Sequence, residues 1–374
     1  MIYLDNAATT FPKPPEVTSE VLRCIEEYCG NPGRGGHRLA VAAAEKIYEC
    51  REKVSHFFGL DAPENVFFSL NATSAINTVI KGAARPGCHV LISDMEHNAV
   101  FRPVFKLKKD RVIDFDVFST RGDVAANFEK LIRKNTTLAV CTHLPNISSR
   151  EIEVAKIGEI CRKRGILFVV DASQSAGHIS VDINSINADA VCFPGHKGLY
   201  GIQGCGGVCL RTGVRLDTLI EGGNGVNSLD GNMPDFSPER FEAGTLPTPA
   251  IAALSTGIDE IEKIGIGEIC SRERELFGYC LDKLSEVGGV TVYEPEFAGP
   301  VLLFNIDDLP SDVVAAELAR KNICVRGGYH CAALGHKTLG TPRGGAVRIS
   351  FGIFNTEKEI DETVDALLTI AKNR

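Results

Sequence analysis

The residues most able to do chemistry sit where apolar runs stop. The run ILFVVD ends in Asp171 and passes into ASQSAG, which carries Gln174; further on, AVCF passes into PGHKGLYG, which carries His196 and Lys197. A lysine at the end of a buried strand is costly unless its charge is paired or removed. Condensation with an aldehyde removes it, and a carboxylate facing a pyridinium nitrogen completes the electron sink of pyridoxal phosphate chemistry. An aspartate in this position also serves as a simple turn or helix cap, and Gly-His-Lys by itself says little. A third segment, SLNATSAIN, follows the run VFFSL and opens a helical stretch. Its backbone N–H groups, with the Thr73 and Ser74 hydroxyls, could hold an anion such as a phosphate; an Asn or Thr helix cap is the plainer alternative.

Cys331 is the other candidate, in RGGYHCAALGHK. The chain has 13 cysteines, most of them inside apolar runs and none in a C-x-x-C pair, a pattern of reduced, buried thiols and not of disulfides or a zinc site. Cys331 differs because Gly327 and Gly328 precede it, giving its loop backbone freedom, and because His330 is adjacent.

Positioning these groups requires an open sheet. From Asn65 to Val208, seven apolar runs (VFFSL, CHVLIS, VIDFDVF, TLAVCTH, ILFVVDA, ADAVCF, GVCLR) alternate with helical stretches such as TSAINTVIKGAAR and EVAKIGEICRKRG, the latter stopped by Gly165. This predicts an open, mainly parallel α/β sheet of about seven strands covered on both faces. Ligands bind at the carboxyl ends of such strands, so Asp171, Gln174, His196 and Lys197 are expected to share one crevice. Beyond Pro249 come two helical segments, then the strands VTVY, VLLFNI and AVRISF with the helix SDVVAAELARK between them. A last helix carries the stripe Ile360, Val364, Leu367, Leu368 and Ala371. The expected division is a large α/β domain over residues 15–255 and a small α+β domain made of 1–14 and 256–374.

The net charge of −8 argues against a nucleic-acid partner. MIYLDNAATT turns polar too early for a signal peptide, and no apolar run is long enough to span a bilayer. A soluble, cytoplasmic protein without a membrane partner is expected.

Taken in order, YLDNAATT, RGGHRLA, NATSAIN, DMEHNAV, THLPNISS, DASQSAG, PGHKGLYG, RFEAGT, RGGYHCA and AVRISFGIFNT resemble the class V aminotransferase-like cysteine desulfurases and selenocysteine lyases. The resemblance implies the fold type I of pyridoxal phosphate-dependent transferases and a homodimer. It makes Lys197 the Schiff-base lysine and acid/base, Asp171 the partner of the pyridine nitrogen, Gln174 that of the phenolic oxygen, and His97 the ring-stacking residue. Ala72 N–H, Thr73 and His196 would hold the phosphate, with Thr245 reaching in from the other subunit. Arg348 and Asn146 would receive the substrate carboxylate. Cys331 would take sulfur from cysteine as a persulfide, release alanine and pass the sulfur to an acceptor protein. The short span from Cys331 to Arg348 resembles the second group of these enzymes, with R-x-G-H-H-C-A; Tyr329 replaces a histidine of that signature, Pro194 replaces a serine that contacts phosphate, and the loop after Lys197 carries an insertion. Selenocysteine lyase is the close alternative. An aminotransferase or other β-lyase would not need Cys331, and a non-catalytic sulfur-carrier scaffold would need none of Lys197, Asp171, Arg348 or Cys331.

Overall fold

The computed structural model describes residues 1–33 and 35–372; Arg34, which opens the RGGHRLA motif, lies outside the described residues, as do residues 373–374. In chain order the elements are β1 (Ile2–Tyr3), α1 (Pro15–Arg23), α2 (Arg38–Phe57), β2 (Val66–Ser69), α3 (Ala72–Ala83), β3 (Cys88–Ser93), α4 (Asn98–Lys109), β4 (Ile113–Phe118), α5 (Val124–Glu129), β5 (Thr136–Thr142), α6 (Val154–Arg164), β6 (Leu167–Asp171), β7 (Ala190–Pro194) and β8 (Gly206–Leu210). There follow α7 (Thr248–Ile264), α8 (Ile266–Leu284), β9 (Val290–Tyr293), β10 (Val301–Ile306), α9 (Ser311–Arg320), β11 (Ile323–Cys324), β12 (Arg326–Gly328), α10 (Ala333–Leu339), β13 (Ala346–Ser350) and α11 (Glu357–Lys372).

The seven apolar runs form one seven-stranded sheet in the order β2-β8-β7-β6-β5-β3-β4. They are apolar throughout because both faces are covered. Phe168 and Val170 of β6 join a core with residues of α2, α6 and α7. Val169 between them joins the opposite core with Ile76 and Val79 of α3 and Val100 and Val104 of α4. The sheet is mainly parallel, as expected; β8 runs antiparallel to both β2 and β7. Parallel neighbours need a crossover helix, and residues 195–205 between β7 and β8 provide only a compact turn. Lys197 lies in that turn.

A four-stranded antiparallel sheet, β12-β13-β10-β9, forms a separate layer. Its core gathers Leu302 and Phe304 of β10, Val347 and Ile349 of β13, Leu276 of α8 and Ile360, Val364 and Leu367 of α11, and it includes Ile2 and Leu4 from the amino terminus. The first strand therefore packs against the last third of the chain, with β1 paired in parallel to β11. Helix α7 packs on the large sheet through Ile251, Leu254 and Ile258; α8 gives Ile269 to that core and Leu276 to the other. Gly165 ends α6 in the left-handed conformation, φ 67°. Among the described residues no helix is long and apolar enough to cross a membrane.

β12 carries no strand pattern in sequence, since two of its three residues are glycine. The structure also revises what those glycines do. A Cβ on Gly327 would lie 2.4 Å from the Ser311 carbonyl oxygen, so this position serves close backbone packing; Gly328 holds φ +108°.

Candidate active site

One pocket opens at the carboxyl ends of β5, β6 and β7. Ala72, Thr73, His97, Asn146, Asp171, Gln174, His196 and Lys197 all line it, together with Asn71, Thr142, Leu144, Ser173 and Pro194. Adjacent registers explain the convergence: Thr142 of β5 lies beside Asp171 of β6, which lies beside Cys192 of β7.

Asp171 is 2% exposed, and its Oδ1 accepts the Ser173 N–H at 2.9 Å. Lys197 keeps accessible surface because it faces the cavity, yet the protein around it pushes its ammonium pKa down to about 8 by desolvation, against the attraction of Asp171. The turn carrying Lys197 is pressed onto the turn after β6: a Cβ on Gly177 would lie 2.1 Å from the Gly198 carbonyl oxygen, and Gly177 has φ +87°. Gln174, in the pocket wall, donates one amide hydrogen to the Ala7 carbonyl at 3.0 Å and has a second to give. Burial, with the Lys197 and Lys13 charges, lowers His196 to about 4, and its Nδ1 is buried without a partner.

At the amino end of α3, the Asn71 side chain accepts from Ser74 N at 2.9 Å, which leaves the first two amides of the helix, those of Ala72 and Thr73, toward the pocket. Thr73 lines this pocket, whereas Ser74, grouped with it by sequence, lines a neighbouring cleft that also contains Thr245. His97 is the cap of α4: its Nδ1 accepts from Ala99 N at 3.0 Å, so the proton of the neutral ring is on Nε2. Burial lowers its pKa to about 4, which keeps the ring uncharged near neutral pH.

Arg348 is 1% exposed and does not line the pocket in this structure. Its Nη1 donates to the Asn146 carbonyl at 3.1 Å and its Nη2 to Asp5 Oδ1 at 2.6 Å, while Nε is buried without a partner. Asp5 was not singled out from sequence, although YLDNAATT contains it; a carboxylate beside the bulk of apolar strand residues was the available signal. Glu96, next to His97, was missed in the same way. It is fully buried, accepts from Ser93 Oγ and Thr142 N, and is pushed up to about 8 by burial, with Asp171 adding to the rise.

Cys331 is exposed, whereas burial pushes the thiols of Cys141, Cys192 and Cys205 well up. His330 and Cys331 hold φ +49° and +58°, two consecutive left-handed residues that are not glycine. Their carbonyls are pinned at the pocket: Cys331 O accepts from Asn98 N and His330 O from Asn146 Nδ2, each at 2.7 Å. Tyr329 points its hydroxyl to the Gly344 N–H at 2.9 Å. Thr245 is apart from all of these; in its own chain it lines a cavity with Asn31, Arg51 and Glu242. The Arg51–Glu242 ion pair, 2.5 Å and 7% exposed on each side, holds that segment against β2.

A lysine with a depressed pKa, a buried carboxylate at the next strand end and a helix start with free amides define a type of site, and the chain belongs to the class V aminotransferase family, whose model matches residues 2–363. Among its relatives, a probable cysteine desulfurase of Methanothermobacter thermautotrophicus is 35% identical over 380 residues, covering 99% of this chain and 94% of that protein. A probable cysteine desulfurase of Pyrococcus abyssi is 33% identical, with 100% and 95% covered. The apo structure of a cysteine desulfurase from Thermococcus onnurineus NA1 superposes with a TM-score of 0.91 at 31% identity, covering 100% of this chain and 95% of that one.

Proposed function

We propose that this chain is a pyridoxal phosphate-dependent L-cysteine desulfurase. The observation that carries this reading is the exposed Cys331, held in a left-handed backbone pair whose carbonyls are anchored beside the Lys197–Asp171 pocket. The pocket fits the cofactor: His196 offers an unsatisfied nitrogen, Ala72 and Thr73 offer amides and a hydroxyl for the phosphate, and Gln174 has an amide hydrogen for the phenolic oxygen. Asp171 would face the ring nitrogen, His97 the ring and Lys197 the aldehyde carbon. When bound, the cofactor supplies an electron sink for the electrons of the substrate Cα–H bond.

The protein's own groups do the rest. Asn146 of the pocket wall, and Arg348 once it gives up a present partner, would bind the substrate carboxylate, and the Lys197 amine, depressed toward neutrality, would take and return the proton at Cα. The Cys331 thiolate attacks the substrate sulfur; an S–S bond forms, the Cβ–S bond breaks with its electrons going to Cβ, and protonation there gives alanine. Cysteine and the Cys331 thiol thus become alanine and a Cys331 persulfide, which passes its outer sulfur to an acceptor protein. A homodimer with shared sites belongs to the same proposal, supported by the position of Thr245 in a cavity of its own chain distinct from the Lys197 pocket.

The deciding experiment gives L-cysteine to wild type and Cys331→Ala and follows alanine, sulfide and protein mass. Wild type should gain one sulfur on Cys331, and the variant should keep the visible absorbance of the cofactor while losing desulfuration. Full activity in Cys331→Ala would refute the reading and favour a plain β-elimination lyase. Mixed Lys197→Ala and Thr245→Ala subunits should regain one native site per heterodimer.

A further inference from the structure

Behind Cys331 lie two buried histidines that the scheme above leaves without a task. His330 is 4% exposed and His336, on α10, is 3% exposed. His330 Nδ1 and His336 Nε2 are 3.2 Å apart. The ring planes are within 17° and the centroids 5.4 Å apart, which is close to the N···N distance plus the two ring radii, so the rings meet edge to edge in nearly one plane. His330 Nε2 lies 3.1 Å from the Arg326 carbonyl of β12, and His336 Nδ1 lies 2.9 Å from Thr341 Oγ1.

The carbonyl contact of His330 orders the protons along this chain. Burial lowers His330 to about 3, with Arg348 adding to the drop, and His336 to about 4, so both rings are neutral near neutral pH. A carbonyl only accepts, so His330 Nε2 carries the hydrogen and His330 Nδ1 is an acceptor. His336 must therefore donate from Nε2, which the Tyr329 carbonyl also attracts, and its Nδ1 accepts from the Thr341 hydroxyl, whose oxygen also lies 3.4 Å from the His336 carbonyl. The chain of donors runs Thr341 to His336 to His330 to the Arg326 carbonyl.

His330 is also where the loop turns left-handed, at φ +49°, followed by Cys331 at +58°. L-residues avoid that conformation, and it persists only where the surroundings over-determine it. Two anchors hold the carbonyls: Asn146 Nδ2, from a residue of the pocket wall, and the Asn98 N–H at the start of α4. The two ring bonds of His330 hold its side chain as well.

We propose that His336 is a positioning residue for Cys331: by donating to the His330 ring it locks the left-handed backbone pair that carries the exposed thiol. The inference rests on the reading of Cys331 as sulfur acceptor. Without the His336 donor, His330 Nδ1 is a buried acceptor left unsatisfied, and the ring must turn toward water, carrying the backbone of the pair with it.

The test compares wild type, His336→Leu, His336→Gln and Cys331→Ser, all loaded with pyridoxal phosphate. Glutamine can place its amide N–H where His336 Nε2–H lies; leucine fills the space without a donor. His336→Leu should form the Cys331 persulfide about tenfold more slowly, with the KM for cysteine within about twofold and cofactor absorbance unchanged, and His336→Gln should recover most of the rate. Independently of turnover, the alkylation rate of Cys331 by iodoacetamide, followed by mass spectrometry without substrate, should change at least about threefold in His336→Leu and little in His336→Gln. If His336→Leu is insoluble, His336→Asn takes its place, since its shorter amide does not reach His330. Wild-type rates in the donor-less variant, or equal losses in His336→Leu and His336→Gln, would overturn the proposal. Retained desulfuration in Cys331→Ser would instead overturn the underlying function.

Discussion

Replacing Asp5 by alanine strands the guanidinium of Arg348 in the interior. That side chain is 1% exposed and has two partners, Asp5 Oδ1 at 2.6 Å and the Asn146 carbonyl at 3.1 Å. Unit charges about 4 Å apart attract by about 4 kcal/mol at an effective dielectric near 20. Asp5 keeps 20% of its side-chain surface exposed, so water screens part of this, and the remaining carbonyl still solvates the cation. A loss of about 2–3 kcal/mol is expected for Asp5→Ala, at or just below the low end of the roughly 3–5 kcal/mol that one-sided removal from a fully buried pair costs. Asp5→Asn keeps an acceptor in place and should lose about half as much. Urea unfolding at fixed protein concentration measures both, and a double-mutant cycle with Arg348→Met isolates the pair. Because Arg348 is oriented by Asp5, the KM for cysteine should also rise about tenfold in Asp5→Ala while cofactor absorbance persists. Additivity of Asp5→Ala and Arg348→Met within about 0.5 kcal/mol would refute the coupling, and an unchanged KM would refute the orienting role.

Three further outcomes follow from the buried groups of the pocket. Uptake of pyridoxal phosphate by the apoprotein, read as visible absorbance, should accelerate as pH rises through about 8, where Lys197 loses its proton, and Lys197→Ala should stay colourless; a midpoint near the ordinary lysine value of 10.5 would refute the depressed amine. Asp171→Asn should bind cofactor yet lose turnover at least about a hundredfold, since the amide cannot hold the ring nitrogen protonated; unchanged turnover would reduce Asp171 to a cap. Glu96 has a folded pKa of about 8 against 4.5 in the unfolded chain, so between those values the folded state holds a proton that the unfolded state lacks, and stability falls as pH rises through the window. Glu96→Gln should therefore raise Tm relative to wild type more at pH about 8 than at pH about 5, and equal effects at both would refute the shift.

Seven apolar runs became the seven strands of the large sheet because strands covered on both faces must be apolar along their length, and that property is local. The same rule placed Asp171 and Lys197 at strand ends, and strand ends of one sheet open on one crevice, so their meeting with Gln174 and His196 was legible without coordinates. The direction of β8 was not, because a run of apolar residues reads the same either way and only the short turn through Lys197 makes it antiparallel. Neither was the parting of Thr73 from Ser74, neighbours in sequence whose side chains leave the first turn of α3 toward different clefts. Gly327 is another case: a glycine that permits motion and one that permits contact look alike until Ser311 is seen against it. Contacts between distant segments are the extreme of this. Asp5 meets Arg348 across 343 positions, and His330 lies between Asn146 of the loop after β5 and His336 of α10. Composition and periodicity report which face of an element is buried; what a buried polar group meets depends on how separate elements pack, and that packing alone decides which charge is paired, which nitrogen carries the proton and where the cysteine is held.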